Sequence, residues 1–197
     1  ITHMSDVHGH EIEYEYDVLD RVTAVQVRES ATAAWQRSEY GYDAAGNLER
    51  ITEPDGDVVT MTYDAGNRLT SRTLPNGVVS TWTYDLGGRI ASVRHEDSAG
   101  NVIARRDYTR LPSGEPTRIE RNDGGDVSAW DFGLDGNGRI ETEALQRAGV
   151  TENARRYGYD DDGSRALRVL DEGTANEVSE TSVLAAGSEL GSITRSG

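Results

Sequence analysis

Short alternating runs of apolar and polar residues, punctuated by Gly, Pro, Asn and Asp, occupy nearly the whole chain. The stretch Asn47–Asp64 shows the pattern. Leu48, Arg50 and Ile51 precede Pro54-Asp55-Gly56, and Val58, Val59, Met61 and Tyr63 follow it. Pro presets φ, Asp hydrogen-bonds locally, and Gly accepts positive φ, so the tripeptide reads as a tight turn. The flanks are rich in Val, Ile, Thr and Tyr, which suit a pleated, half-buried surface. Two short strands and two turns therefore make one unit: a β-hairpin plus the turn to the next hairpin. The following unit repeats it, with Leu74-Pro75-Asn76-Gly77 as the hairpin turn.

Alternation places Val59, Met61 and Tyr63 on one face of the second strand, and Val58, Thr60 and Thr62 on the other. In the next unit Val79, Thr81 and Thr83 oppose Val78, Ser80, Trp82 and Tyr84, an offset of one residue that predicts a bulge or a different turn length. The first strands carry apolar residues three apart: Leu48 and Ile51, Ile90 and Val93, Val22 and Val25. That spacing does not fit one strand face, and the segments are too short for a helix. A bulge, or a sheet partly apolar on both sides, reconciles it.

The connecting turns share a signature. Tyr42-Asp43-Ala44-Ala45-Gly46-Asn47-Leu48, Tyr63-Asp64-Ala65-Gly66-Asn67-Arg68-Leu69 and Tyr84-Asp85-Leu86-Gly87-Gly88-Arg89-Ile90 follow one another at 21-residue intervals. With drift, the frame extends to Tyr16-Asp17, Tyr108, Leu134-Asp135 and Tyr159-Asp160 with Gly163, the successive spacings being 26, 21, 21, 24, 26 and 25 residues. A constant period is the mark of an architecture built by repetition. The predicted fold is all-β: a long antiparallel meander of tandem β-hairpins, roughly 13–16 strands, twisted into a curved, coiled strip. Residues 1–197 read as a single array of about seven repeats without a separate catalytic domain.

Charge narrows the partners. Net charge is −15, which disfavours nucleic acid and anionic membranes, since both need a positive surface. All 20 basic residues other than histidine are arginine, so a lysine Schiff base is excluded. With no cysteine, disulfides, zinc thiolates and thiol nucleophiles are excluded too. No apolar run reaches the ~18–20 residues of a membrane-spanning helix. The chain starts and stops in mid-pattern, so a piece of something larger is expected.

Tyr-Asp-x-x-Gly-Asn/Arg-Leu/Ile, with Pro-Asp-Gly or Pro-Asn-Gly between copies, resembles the RHS or YD repeat, and the resemblance runs along nearly the whole chain. Val183–Leu190 is similar to a degenerate late copy that has lost its tyrosine. The resemblance implies an RHS-type shell, in which a β-strip spirals into a hollow cage, as in bacterial polymorphic toxins, insecticidal toxin complexes and teneurins. It implies a secreted or cell-surface protein whose partners are the remainder of its own parent shell and an enclosed C-terminal effector. The self-cleaving core segment of such toxins, with its Asp-Pro-rich motifs, is not found in this sequence. The competing reading is a cell-surface or carbohydrate-binding adhesion module that engages glycans or surface proteins through Tyr, Trp35, Trp82 and Trp130.

Within that frame, Tyr16, Tyr42, Tyr63, Tyr84 and Tyr159 are expected to pack across strands, although a tyrosine ladder for sugars has the same spacing. Asp17, Asp43, Asp64, Asp85 and Asp160 are expected to close Asx-type turns, with Gly46, Gly66, Gly87 and Gly163 providing positive φ. No carboxylate pair is singled out by spacing as a glycosidase site. Asp135–Gly138 and Asp160–Gly163 lack the twelve-residue frame of a calcium loop. His3, His8 and His10 cluster in a turn, and Arg105-Arg106 and Arg155-Arg156 suit cross-strand ion pairs. No enzymatic activity, cofactor or metal is expected.

Overall fold

The computed structural model describes residues 2–170, 178–185 and 189–196. Among these the chain is all-β, with seventeen strands and no helix, in an antiparallel meander of tandem hairpins. The count exceeds the expected range by one strand.

Contacts divide the chain into two units. The first comprises Ile1–Trp82 with His95–Asn101, the second Thr83–Arg94 with Val102–Gly197. In the first unit lie β1 (Thr2–Ser5), β2 (Glu11–Tyr16), β3 (Val22–Arg28), β4 (Gln36–Tyr42), β5 (Leu48–Thr52), β6 (Val58–Tyr63) and β7 (Leu69–Thr73), followed by the start of β8 (Val79–Tyr84). Each pairs antiparallel with the next. After β9 (Ile90–Glu96), the second unit holds β10 (Val102–Arg110), β11 (Pro116–Asp123), β12 (Asp126–Leu134), β13 (Ile140–Arg147), β14 (Val150–Tyr159), β15 (Arg165–Leu170), β16 (Val178–Ala185) and β17 (Glu189–Ser196). From β10 onward these also pair in sequence order.

A bulge recurs where the tyrosine of the repeat meets the following strand. Gly41 pairs with Arg50 and Tyr42 with Leu48, so Glu49 faces no partner. Thr23 is left over in the same way beside Tyr16, Thr70 beside Tyr63, Thr117 beside Arg110, Glu141 beside Leu134 and Ala166 beside Tyr159. One extra residue turns a spacing of three into an effective spacing of two, so Leu48 and Ile51 share a face. This resolves the irregular apolar spacing of the first strands in favour of the bulge.

The offset expected between consecutive second strands is absent. Ile51 pairs with Val59 as Arg72 pairs with Ser80, and Thr52 with Val58 as Thr73 with Val79. Val59 and Ser80 are therefore equivalent positions, as are Met61 and Trp82. The offset was a matter of side-chain identity: Asp57 holds the position that Val78 occupies in the next unit.

One face of the first unit carries Ile12, Tyr14, Val25, Val27, Ile51, Val59 and Met61, while the other carries Glu11, Glu13, Glu15, Gln26, Arg37, Glu39 and Arg50 by the same register. Few side chains are fully enclosed: among the described residues the buried apolar ones are Ala24, Ala129 and Val169. Stability here comes from neighbour-to-neighbour pairing rather than from one central core.

Candidate functional site

Most turns between repeats are built by one aspartate each, while the turn at Leu111–Glu115 has leucine in that place. In the turns led by Asp6, Asp17, Asp43, Asp64, Asp85, Asp97 and Asp135, Oδ1 accepts the backbone N–H groups of the second and fourth residues onward at 2.8–3.1 Å. Oδ2 holds the side chain of that fourth residue at 2.7–2.9 Å: His10, Arg21, Asn47, Arg68, Arg89, Asn101 or Arg139. Asp160 accepts from Ser164 N–H at 2.7 Å. These bonds favour the ionised form, and the seven carboxyls from Asp6 to Asp135 all sit below the usual range. For Asp17, Asp85 and Asp135 the leading cause is the backbone N–H of the arginine four residues on. For Asp6, Asp43, Asp64 and Asp97 it is the side-chain hydrogen bond of the same position.

Gly46 (φ 92°) and Gly163 (φ 85°) occupy the left-handed position of their turns. Gly66 and Gly87 do not. The equivalent residues are Asn67 (φ 58°) and Gly88 (φ 78°), one place later. The expectation for Gly66 and Gly87 is corrected by counting from the aspartate, since the left-handed residue is the third after it. Asn is the side chain that best tolerates that region, because its amide bonds locally.

The tyrosines tie each turn to the previous one. Tyr42 OH donates to Val22 O at 2.8 Å, Tyr63 OH to Leu48 O at 2.8 Å, and Tyr159 OH to Ile140 O at 2.7 Å. In each case the acceptor is the first residue of the strand leaving the earlier turn. By register Arg110, not Tyr108 as the sequence frame had it, holds this position between Tyr84 and Leu134, and it takes over the task by donating Nη1 to Ile90 O at 2.5 Å. Where the turn ends in arginine, its guanidinium also covers the later tyrosine ring: Arg21 lies 4.4 Å from the Tyr42 centroid and Arg139 lies 4.2 Å from that of Tyr159. Asp, Arg and Tyr thus form a relay from one turn to the next. Where the turn ends in asparagine, Asn47 Nδ2 bridges Asp43 and Asn67 instead. Tyr16 stacks beside Tyr14 at 6.4 Å, and Tyr84 is half-buried.

Other candidates are dispersed. Arg28 covers Trp35 at 4.7 Å, Trp82 stands edge-on to His95 at 6.5 Å, and Trp130 pairs with Ile119 and Leu145 in register. His10 is taken up by Asp6, and His3 Nδ1 lies 3.2 Å from Glu13. No cluster of three metal-ligating side chains exists among the described residues. Arg106 pairs with Asp123 and Arg155 with Glu143 across strands, whereas Arg105 pairs with Asp107 along its own strand. Asn122–Asp126 is a hairpin turn in which Gly124 (φ 60°) and Gly125 (φ 103°) both take positive φ. The turn of the late copy within Val183–Leu190, residues 186–188, lies outside the described residues.

Two groupings escaped the sequence reading. Glu143 accepts from Arg155 at 2.7 Å and from Tyr157 OH at 2.8 Å; burial, then this bond, pushes the Tyr157 phenol up. Ser80 Oγ lies 2.8 Å from His95 Nδ1. Neither pair is close in sequence, and only the sheet register could have revealed them.

The RHS Repeat family model matches residues 42–79 and 63–102. No curated protein matches the chain. Among solved structures, the Photorhabdus luminescens Tc holotoxin pore is similar at TM-score 0.52 and 12% identity, over 90% of this chain and 12% of that one. The TcdB2-TccC3 structure is similar at 0.42 and 14%, over 92% and 14%. A porin-like protein from Bacteroides uniformis follows at 0.40 and 11%, over 98% and 92%. The last two, below 0.5, carry no argument; the first shows a shared fold. The chain thus spans about an eighth of the Tc holotoxin chain it matches. The family model is seated on the same Tyr-Asp turns that the relay joins, so residues 42–102 carry RHS repeats.

Proposed function

We propose that this chain is wall material of an RHS-type shell that encloses a C-terminal effector, and that residues 1–197 act as one YD-repeat array within it. The carrying observation is the relay itself: aspartate fixes most turns internally, and Tyr42, Tyr63, Arg110 and Tyr159 each bond back to the strand leaving the preceding turn. Side chains that would otherwise be available for chemistry are used up in holding the repeat, which supports a structural rather than enzymatic role. The fold shared with the Tc holotoxin supports the same reading, and with it a secreted or cell-surface location. No observation favours glycan binding, since the three tryptophans are each engaged separately.

The test is protease protection in the full-length parent. The domain downstream of the repeats is expected to survive trypsin as an intact fragment while the repeats are folded. Its digestion is expected at the urea concentration that unfolds them. A downstream domain cleaved equally fast below and above that concentration, or no such domain, defeats the enclosure reading.

A further inference from the structure

Arg72, Ser80 and His95 form a polar row beside Ile51, Val59 and Met61 on one face of the first unit. Met61 pairs with Arg72, and Arg72 with Ser80, in the ladder. Ser80 in turn bonds His95 Nδ1 at 2.8 Å. Side chains directly opposite one another in an antiparallel pair project to the same face. Trp82 forms the wall, 6.0 Å from the Arg72 guanidinium and edge-on to the His95 ring.

Arg72 differs from the arginines of the neighbouring ion pairs. Arg21, Arg37, Arg68 and Arg89 each hold a carboxylate within 3.0 Å. Arg72 has no acidic partner among the described residues, and its Nε is out of water without a hydrogen bond. Acids are not scarce, since Asp and Glu together number 35 against 20 arginines. A guanidinium partly withdrawn from water with no counter-charge is costly, and the cost is relieved when a carboxylate arrives. The two companions are suited to help. If the Ser80 hydroxyl donates to Nδ1, the ring keeps its proton on Nε2 and presents a donor. Ser80 itself is 1% exposed, so its hydroxyl is enclosed and acts through His95, while Arg72 and His95 are half-buried.

We propose that Arg72, Ser80 and His95, walled by Trp82, form a carboxylate-binding site for an extended segment of polypeptide. The guanidinium provides the planar fork that matches a carboxylate. Trp82, Met61 and Val59 on the same face provide apolar contact for the flanking residues of the ligand. The occupant is a Glu or Asp side chain of the enclosed effector, chosen by charge complementarity to the unpaired arginine. Only the source of that carboxylate rests on the shell reading; the site itself does not.

The experiment is an NMR titration of this chain, observing the Trp82 indole N–H and the Arg72 Nε–H. The probes are a capped Leu-Leu-Glu-Leu-Leu peptide, its Gln analogue and inorganic phosphate, at matched ionic strength. Saturable shifts are expected with the Glu peptide, with at least tenfold weaker binding for the Gln analogue and for Arg72→Gln protein. Ser80→Ala is expected to weaken binding several-fold while retaining the fold, and it serves as the decisive variant if Arg72→Gln does not fold. Equal shifts from the Glu and Gln peptides, equal affinity for phosphate, or no saturable shift would overturn the proposal. None of these outcomes depends on whether the parent encloses an effector.

Discussion

At the residue scale, the turn is a small electrostatic device in which one carboxylate satisfies two backbone donors and a side chain. Its geometry demands a left-handed residue three places after the aspartate, and this separates glycines that look alike in sequence. Gly46→Ala forces a Cβ into the left-handed region at φ 92° and is expected to cost about 1–2 kcal/mol. Gly66→Ala, whose φ is not positive, is expected to cost less, because the new Cβ meets only Asp64 Oδ1 at 3.3 Å and Arg68 Nε at 3.6 Å. Urea midpoints of the two variants check this, and equal losses would mean that the turn frame has been misassigned. Tyr63→Phe keeps the ring and removes the bond to Leu48 O, with an expected loss of about 1 kcal/mol by the same measurement. The sequence revealed the aspartate role because an Asx turn needs only neighbours. It did not reveal the tyrosine hydroxyl's acceptor, which lies 15 residues away in Leu48 and 20 away in Val22.

At the scale of the strand, the bulge explains why a hairpin repeat can carry an irregular apolar pattern. Leu48 and Ile51 were legible as a conflict with simple alternation, and the conflict was itself the signal. What the sequence could not supply was the equivalence of Val59 with Ser80, since a serine at an enclosed position breaks the apolar pattern. Ser80 is accommodated there because His95 satisfies its hydroxyl. The row with Arg72 was illegible for the same reason: it exists only through pairing of β7 with β8 and contact with a residue of β9. A bulge residue has a purely geometric role, and this yields a prediction. Glu49→Ala removes an exposed side chain and is expected to change stability by less than about 0.5 kcal/mol. Deleting Glu49 removes the bulge and leaves Leu48 and Ile51 two apart in a regular strand, so both keep the apolar face. The deletion is therefore expected to keep the first unit folded, seen as a retained sigmoidal urea transition and dispersed amide resonances. A deletion variant that loses its sharp transition would show that the bulge does more than bring Leu48 and Ile51 onto one face.

At the scale of the whole molecule, stability and charge are tied through the repeated aspartates. Asp6, Asp17, Asp43, Asp64, Asp85, Asp97 and Asp135 are all held below their ordinary values by turn hydrogen bonds. A carboxyl whose folded value lies below its unfolded one contributes stability that is complete above the unfolded value, near ~3.9, and disappears as pH falls through the folded value. The net charge of −15 acts in the opposite direction. Self-repulsion eases as carboxylates that carry no such turn bonds protonate, so mild acid should not harm the fold. The two effects have different windows. Urea midpoints are expected to stay level or rise slightly from pH 7 to about 5, then fall steeply below about 4 as the turn carboxylates protonate together. Asp64→Asn removes one titrating group, so it is expected to be less stable at pH 7 and to lose less on acidification than the parent chain. A midpoint that continues to rise down to pH 3, or an Asp64→Asn slope equal to that of the parent, would show that repulsion dominates and that the turn aspartates are not the acid-labile element. The repetition that makes the array also enlarges this response, because seven carboxyls are shifted in the same direction by the same kind of turn.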